Sequence, residues 1–226
     1  MIMDILDSFY RRTYESNINQ KMLHYSYDFP WEEVEGYARQ VLSIPIERFI
    51  ERNIKTETTE AIIAKDVFQF SSLEAGTDQI CRVLNDAGNP GVTFLQAGKL
   101  LLDDGKPRND GAYIKYGENH LKTAEAFGLL FELTRTYFVS CIGIVYLGLD
   151  EEDKRKLGVR LLLRNKFIAR LVKATSVGNV NARQFLYMLS DTTYVRRRSN
   201  IKCIMKYLQD STEYDFAHVF DKIIFS

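Results

Sequence analysis

The chain has 226 residues, 46% of them hydrophobic and 27% charged, which suits one large domain or two to three small ones and excludes wholesale disorder. Its 30 basic and 30 acidic residues cancel to a formal charge of zero, with a pI near 6.8, so no overall basic field is present to draw in nucleic acid without specificity. The charge is unevenly spread: Glu32, Glu33, Glu35, Glu47, Glu51, Glu57 and Glu60 make the front acidic, whereas Lys154 to Lys206 is dominated by Lys and Arg, which suggests an anionic partner for the second half.

Cys81, Cys141 and Cys203 are widely spaced, odd in number and set among apolar residues, the pattern of reduced intracellular thiols. His24, His120 and His218 are equally scattered, so no metal site and no cofactor are predicted. The opening MIMDILDSFYRR has acids where a signal peptide carries bases, and no apolar run approaches the ~20 residues of a bilayer span. A cytoplasmic location without membrane contact is expected.

In chain order, Ile2, Ile5, Leu6 and Phe9 suggest a helix within Met1 to Asn19. Pro30 and the acids after it favour the start of a helix through Val34, Tyr37, Ala38, Val41 and Leu42, ended by Pro45. A short helix from Ile46 to Ile54 would bury Ile46, Phe49 and Ile50. Trp31 and the tyrosines read as core or interface aromatics. Ser71, Ser72, Gly76 and Thr77 mark a boundary, giving a helical N-terminal region over residues 1–75. Its acidic balance and apolar helical positions suggest association, with a homodimer as the expected assembly.

Residues 76–149 read as a first module. A helix with Ile80, Val83 and Leu84 stops at the breaker cluster Gly88-Asn89-Pro90-Gly91; Thr93 and Gln96 then form a capping box before Leu100 and Leu101. After a charged loop, AYIKYGENHLKTAEAFG predicts a helix burying Tyr113, Tyr116, Leu121, Ala124 and Phe127, with Gly128 as its left-handed cap and with Lys115, Asn119, Lys122 and Thr123 turned outward. Leu129 to Leu133 and Tyr137 to Val139 form a small hairpin around Thr134-Arg135. Three helices and a hairpin make the winged-helix plan.

Residues 150–226 read as a connector and a second module. A helix of Ile142, Ile144, Val145 and Leu147 leads to Asp150, which caps the charged helix Glu151 to Arg164. A helix near Lys166 to Lys173 precedes a helix-turn-helix from Asn181 to Leu208, in which Asn181 and Gln184 cap a first helix carrying Phe185, Leu186, Met188 and Leu189 on its buried side. Ser190-Asp191-Thr192-Thr193 forms the turn, and Ile201, Ile204, Met205 and Leu208 set the core face of the longer helix. Arg196, Arg197, Asn200 and Cys203 then project outward at the end that such motifs insert into the major groove, with Thr193 and Arg198 beside them. Arginine and asparagine can each bond a base edge bidentately or hold phosphate. The apolar C-terminal residues Phe216, Val219, Ile223, Ile224 and Phe225 supply a second wing or pack beneath it. The predicted fold is therefore mainly α with small β-wings: tandem winged helix-turn-helix modules behind a helical N-terminal region.

The runs YIKYGENHLKTAEAFGLL, FVSCIGIVYLGLDEEDKRKLGVRLLLRN and SDTTYVRRRSNIKCIMKYL together resemble a bacterial family of tandem winged-helix proteins that accompany, or are fused to, type II restriction-modification enzymes. The likeness covers about residues 60 to 210, and its sharpest markers are Tyr116-Gly117-Glu118-Asn119-His120 with Lys122-Thr123-Ala124, the Gly128-Leu129 step and Thr193 to Arg198. The resemblance implies double-stranded DNA as ligand, a recognition or regulatory role in a defence system, and a protein partner from that system. Lys115, Asn119, Lys122, Thr123, Thr193, Arg196, Arg197, Arg198 and Asn200 are the candidate DNA contacts, and no catalytic or metal residue is assigned.

No catalytic constellation is visible in the sequence. Asp78 with Gln96-Ala97-Gly98-Lys99 is the nearest imitation of a metal-nuclease set, and Glu118 and His120, two apart on a helix, do not face each other. A binding protein is thus expected, with a protein-interaction adaptor as one alternative and a metal-dependent restriction endonuclease, its carboxylates within the first 75 residues, as another.

Overall fold

Breakers and caps read from the sequence start or stop several helices of the computed structural model, which describes residues 31–56, 60–70 and 77–225. The described chain is mainly helical, 62% helix, with two small two-stranded sheets. The N-terminal positions Ile2, Ile5, Leu6 and Phe9, Pro30 and the Ser71 to Gly76 boundary lie outside the described residues. Two compact units are formed, each from two stretches of chain: residues 31–43 with 77–157, and residues 44–70 with 158–225. The chain passes between units at Ser43/Ile44, again after Phe70, and at Leu157/Gly158.

The first unit contains α1 (Trp31–Ser43), α3 (Asp78–Asp86), α4 (Phe94–Leu101), α5 (Asp110–Ala126), β1 (Leu130–Leu133), β2 (Thr136–Val139), α6 (Cys141–Gly148) and the start of α7 (Glu151–Leu163). α3 ends where Gly88 turns left-handed at φ 79°; the Gly88 and Asn89 amides then donate to the Asn85 and Leu84 carbonyls. The Asn89 side chain next pairs both ways with the Val139 backbone, and Val92 bridges Tyr137 antiparallel. The Thr93–Gln96 capping box opens α4, and the Asn109 carboxamide oxygen accepts from the Ala112 amide to open α5. Gly128, at φ 75°, and Leu129 close α5 by donating to the Glu125 and Ala124 carbonyls. β1 and β2 pair antiparallel with Leu133 opposite Thr136, leaving a two-residue turn in which Thr134 and Arg135 take φ of 55° and 62°. That turn needs positive φ at both positions, and a β-branched threonine adopts it only under strain.

Helices α4 and α5 cross so closely that glycine is needed on both. A Cβ at Gly98 would strike the Tyr113 carbonyl, and one at Gly117 would strike the Phe94 carbonyl. The buried side of α5 is accordingly Gly117, His120, Leu121, Thr123 and Ala124, continued by Phe127, while Tyr113 and Tyr116 are only half-buried.

The second unit contains α2 (Ile46–Lys55), the end of α7, α8 (Lys166–Val177), β3 (Val180–Asn181), α9 (Ala182–Phe185), α10 (Asp191–Gln209), α11 (Ala217–Phe220) and β4 (Ile223–Ile224). α2 buries Ile46, Phe49, Ile50 and Asn53, and α8 buries Phe167, Ile168, Leu171, Val172 and Thr175. The C-terminal residues form no hairpin: Phe216, Val219 and Phe220 pack into the core, and Ile223 and Ile224 pair parallel with Val180 and Asn181. A parallel pair cannot be closed by a tight turn, so of the two roles open to these residues, a wing or packing beneath the module, the structure has the packing one, with a returning strand end.

Arg160 on α7, 1% exposed, ties this unit together. Its guanidinium holds Glu213 bidentately, with Nη2 2.9 Å from Oε1, donates to the Ile44 carbonyl at 2.9 Å and lies 5.7 Å from the Phe49 ring centroid.

Two outcomes are expected on substitution, each read from urea unfolding of the full chain. Gly117→Ala should lower stability by about 1–3 kcal/mol, because a backbone carbonyl cannot swing aside as a side chain can. Arg160→Met should cost about 3–5 kcal/mol by stranding the Glu213 carboxylate; an unchanged midpoint in either variant contradicts the packing described.

Candidate nucleic-acid interface

The helix pair of the second unit is built by short-range chemistry. The Asn181 side chain caps α9 by accepting from the Gln184 amide at 3.1 Å, and Ser190 Oγ caps α10 by accepting from the Thr193 amide at 3.3 Å. α9 is a single turn. Leu186 and Leu189 are buried beyond its end, whereas Met188 is 54% exposed, so the expected apolar side belongs partly to the loop. Asp191, Thr192 and Thr193 are the first turn of α10 and not a connecting turn, with Asp191 suited to the positive end of the dipole. Arg183 fixes the two helices together, its Nη2 2.7 Å from Asp191 Oδ1 and its guanidinium 5.5 Å from the Tyr194 ring centroid.

Tyr194, Ile201, Ile204, Tyr207 and Leu208 form the buried face of α10; Met205, expected on that face, is only half-buried, and Tyr194 and Tyr207 were not foreseen there. Thr192, Val195, Arg196, Ser199, Lys202, Cys203 and Lys206 form its exposed stripe. Of the residues singled out in the sequence, Arg196 and Cys203 are on that stripe; Thr193, Arg197, Arg198 and Asn200 flank it half-buried, with Arg198 5.7 Å from the Phe225 ring centroid. Lys202 shares that ring at 5.4 Å. Among the described residues Arg196, Arg198, Lys202 and Lys206 make no ion pair. Val195, Ser199, Lys202 and Lys206 were not singled out in the sequence, although they follow from stepping three and four residues along from Arg196, opposite Ile201, Ile204 and Leu208.

α5 is different. Thr123 is fully buried and its hydroxyl donates to the Asn119 carbonyl at 2.7 Å, which corrects its outward placement: the close α4–α5 crossing rotates this position into the core. Lys122 is half-buried, with Nζ 2.8 Å from Glu125 and 3.0 Å from Glu132 and 5.2 Å from the Tyr137 ring centroid. Burial alone would lower its pKa, but the hydrogen bonds to Glu125, Tyr137 and Glu132 outweigh that and raise it. Hydrogen bonds from Tyr137 and then Lys122 in turn hold the Glu132 carboxyl below its usual range. Lys122 is thus committed to joining helix and hairpin. Lys115 is exposed and pairs with Glu118 at 2.9 Å; Asn119 is half-buried.

Glu118 and His120 are not brought together. His120 is 4% exposed, its ring 4.5 Å from that of Tyr116, and desolvation lowers its pKa. Asp78 pairs with Arg82 and with the buried Lys154, Gln96 is consumed by the capping box, and Lys99 pairs with Asp110. Among the described residues no three His, Cys, Asp or Glu side chains gather as metal ligands, and no helix is long and apolar enough to cross a membrane. Cys81 and Cys141 are buried thiols, the latter pushed up to about 12 by desolvation, and Cys203 is exposed.

Because neutral His120 is favoured in the folded unit, unfolding takes up a proton between its lowered pKa and the ordinary value of 6.5. Stability should be full above that window and fall as pH drops through it, by at most about 1.4 kcal/mol per pH unit. Denaturant midpoints from pH 7.5 to 5 check this; His120→Gln should flatten the profile, and an equally steep profile in that variant would assign the effect elsewhere.

Comparison of the chain with protein-family models, curated proteins and solved structures returned no match.

Proposed function

We propose that the protein binds double-stranded DNA, with α10 as the helix presented to the major groove. The observation that carries this reading is the exposed stripe of α10, where Arg196, Lys202 and Lys206 stand on one face without an acidic partner among the described residues, interleaved with Ser199 and Val195. Arginine and lysine supply phosphate attraction and guanine contacts, serine bonds either, and an apolar side chain can meet a thymine methyl. Over its length α10 carries five basic residues against the single acid Asp191, whereas α5 carries two lysines against three acids. The α10 face is therefore the stronger electrostatic footprint on a chain with no net charge.

A winged-helix assignment of the first unit is supported by the order α3, the Val92 bridge, α4, α5 and the β1–β2 hairpin. In that reading α5 offers Lys115 and Asn119, and the strained tip offers the exposed Arg135. The second unit supplies the matching helix, strand end and helix pair, which makes a tandem arrangement the natural extension. A place in a restriction-modification or other defence system is proposed on the family resemblance, with the protein partner that it implies. A protein-interaction role is favoured by Tyr187 and Met188, 64% and 54% exposed in the loop before α10.

Fluorescence anisotropy of labelled random duplex against salt separates the two readings. Binding should weaken steeply with salt, and Arg196→Ala, Lys202→Ala and Lys206→Ala should each reduce the log–log slope by about 0.9. Salt-insensitive binding, or slopes untouched by all three substitutions in folded protein, would remove α10 from DNA and leave the interaction reading.

A further inference from the structure

A second concentration of positive charge lies within the same unit, between α2 and α8. There a cavity of about 220 Å³ is lined by Arg52, Arg164, Lys166, Arg170 and Lys173, with no acidic residue in its wall. The spacing is regular: Lys166, Arg170 and Lys173 fall on one face of α8, and Arg52 and Asn53 on the facing side of α2, with Thr56 just beyond its end. Lys166 and Lys173 have fixed local duties. Lys166 pairs with Glu60 at 2.8 Å and Asp66 at 3.6 Å, and Lys173 donates to the Thr56 carbonyl at 2.9 Å, closing the C-terminal end of α2. Asn53 donates to the Leu163 carbonyl at 2.8 Å and braces the floor. Arg170 has no such duty: its Nη1 is buried without any hydrogen-bond partner.

We propose that this cavity binds a compact phosphate polyanion, the diphosphate group of a soluble small molecule. A buried guanidinium N–H without an acceptor is costly, and Arg170 shares its concavity with four further cations, of which Lys166 is offset by Glu60 and Asp66; a multiply charged anion meets the positive charge that remains. Arginine presents a planar fork matched to phosphoryl oxygens, and lysine adds point charge. The volume is below the ~300–1,000 Å³ that encloses a drug-sized ligand, which favours the phosphate end of a molecule over the whole of it. The site is independent of the α10 surface.

Isothermal titration of the full chain with inorganic pyrophosphate, at ionic strength held constant with sodium chloride, tests this. Saturable binding of one pyrophosphate per chain is expected, weakened by about tenfold or more in Arg170→Gln, as for loss of a charged hydrogen bond, and unchanged in Arg196→Ala. Should Arg170→Gln fail to fold, Lys173→Met provides the same comparison from the cavity rim. The proposal is overturned by absence of saturable heat in the wild-type chain, by equal binding in the cavity variants, or by loss of binding in Arg196→Ala. Displacement of pyrophosphate by duplex DNA would also overturn it, reassigning the cavity to the DNA backbone.

Discussion

A charged side chain cannot sit in a core unless its partners are brought to it, and in the second unit that condition falls on Arg160. The guanidinium is nearly inaccessible to solvent, so the Ile44 carbonyl, the Glu213 carboxylate and the Phe49 ring must all converge on it. Ile44 precedes α2 and Glu213 follows α10, and neither is near α7 in the chain. One side chain thereby sets where α2 enters and where the chain goes after α10. Both surfaces to which we assign ligands lie on these elements: the α2–α8 cavity and the exposed stripe of α10.

Positive charge is thus used in two ways. Arg160, Lys122, Lys154 and Arg183 are committed inward, each pairing with acids and lying over an aromatic ring. Arg196, Lys202 and Lys206 are turned to solvent, and Arg170 is turned into a cavity. An inward cation contributes to stability and specificity of packing and little to the surface field, because its partner cancels it. An outward one retains its charge for a ligand. Composition counts the two alike, which is why the basic run from Lys154 to Lys206 overstates the charge available to any anionic ligand.

The first unit is governed by steric closeness more than by charge. Gly98 and Gly117 let two helices approach to backbone contact, and the approach rotates α5 so that Thr123 and His120 face inward. Lys122 then reaches the hairpin, where Glu132 and Tyr137 receive it. The hairpin accepts left-handed backbone at Thr134 and Arg135 because its antiparallel register leaves only two residues to turn the chain.

Much of the local structure was legible in the residues alone. The Thr93–Gln96 box, the Asn181 and Asp150 caps, the Gly88 and Gly128 stops, the Thr134-Arg135 turn and the core positions Ile201, Ile204 and Leu208 of α10 depend on contacts within a few positions, and periodicity with capping chemistry is sufficient to read them. What the sequence could not determine were pairings between distant segments. The parallel joining of Ile223 to Val180, the engagement of Arg160 with Ile44 and Glu213, the inward turn of Thr123 and the gathering of cations from α2, the α7–α8 turn and α8 around one cavity all depend on which surfaces meet in three dimensions. A residue's periodicity tells which side of its helix it occupies; only the neighbour packed against that side decides whether its charge is neutralised, buried or left for a ligand.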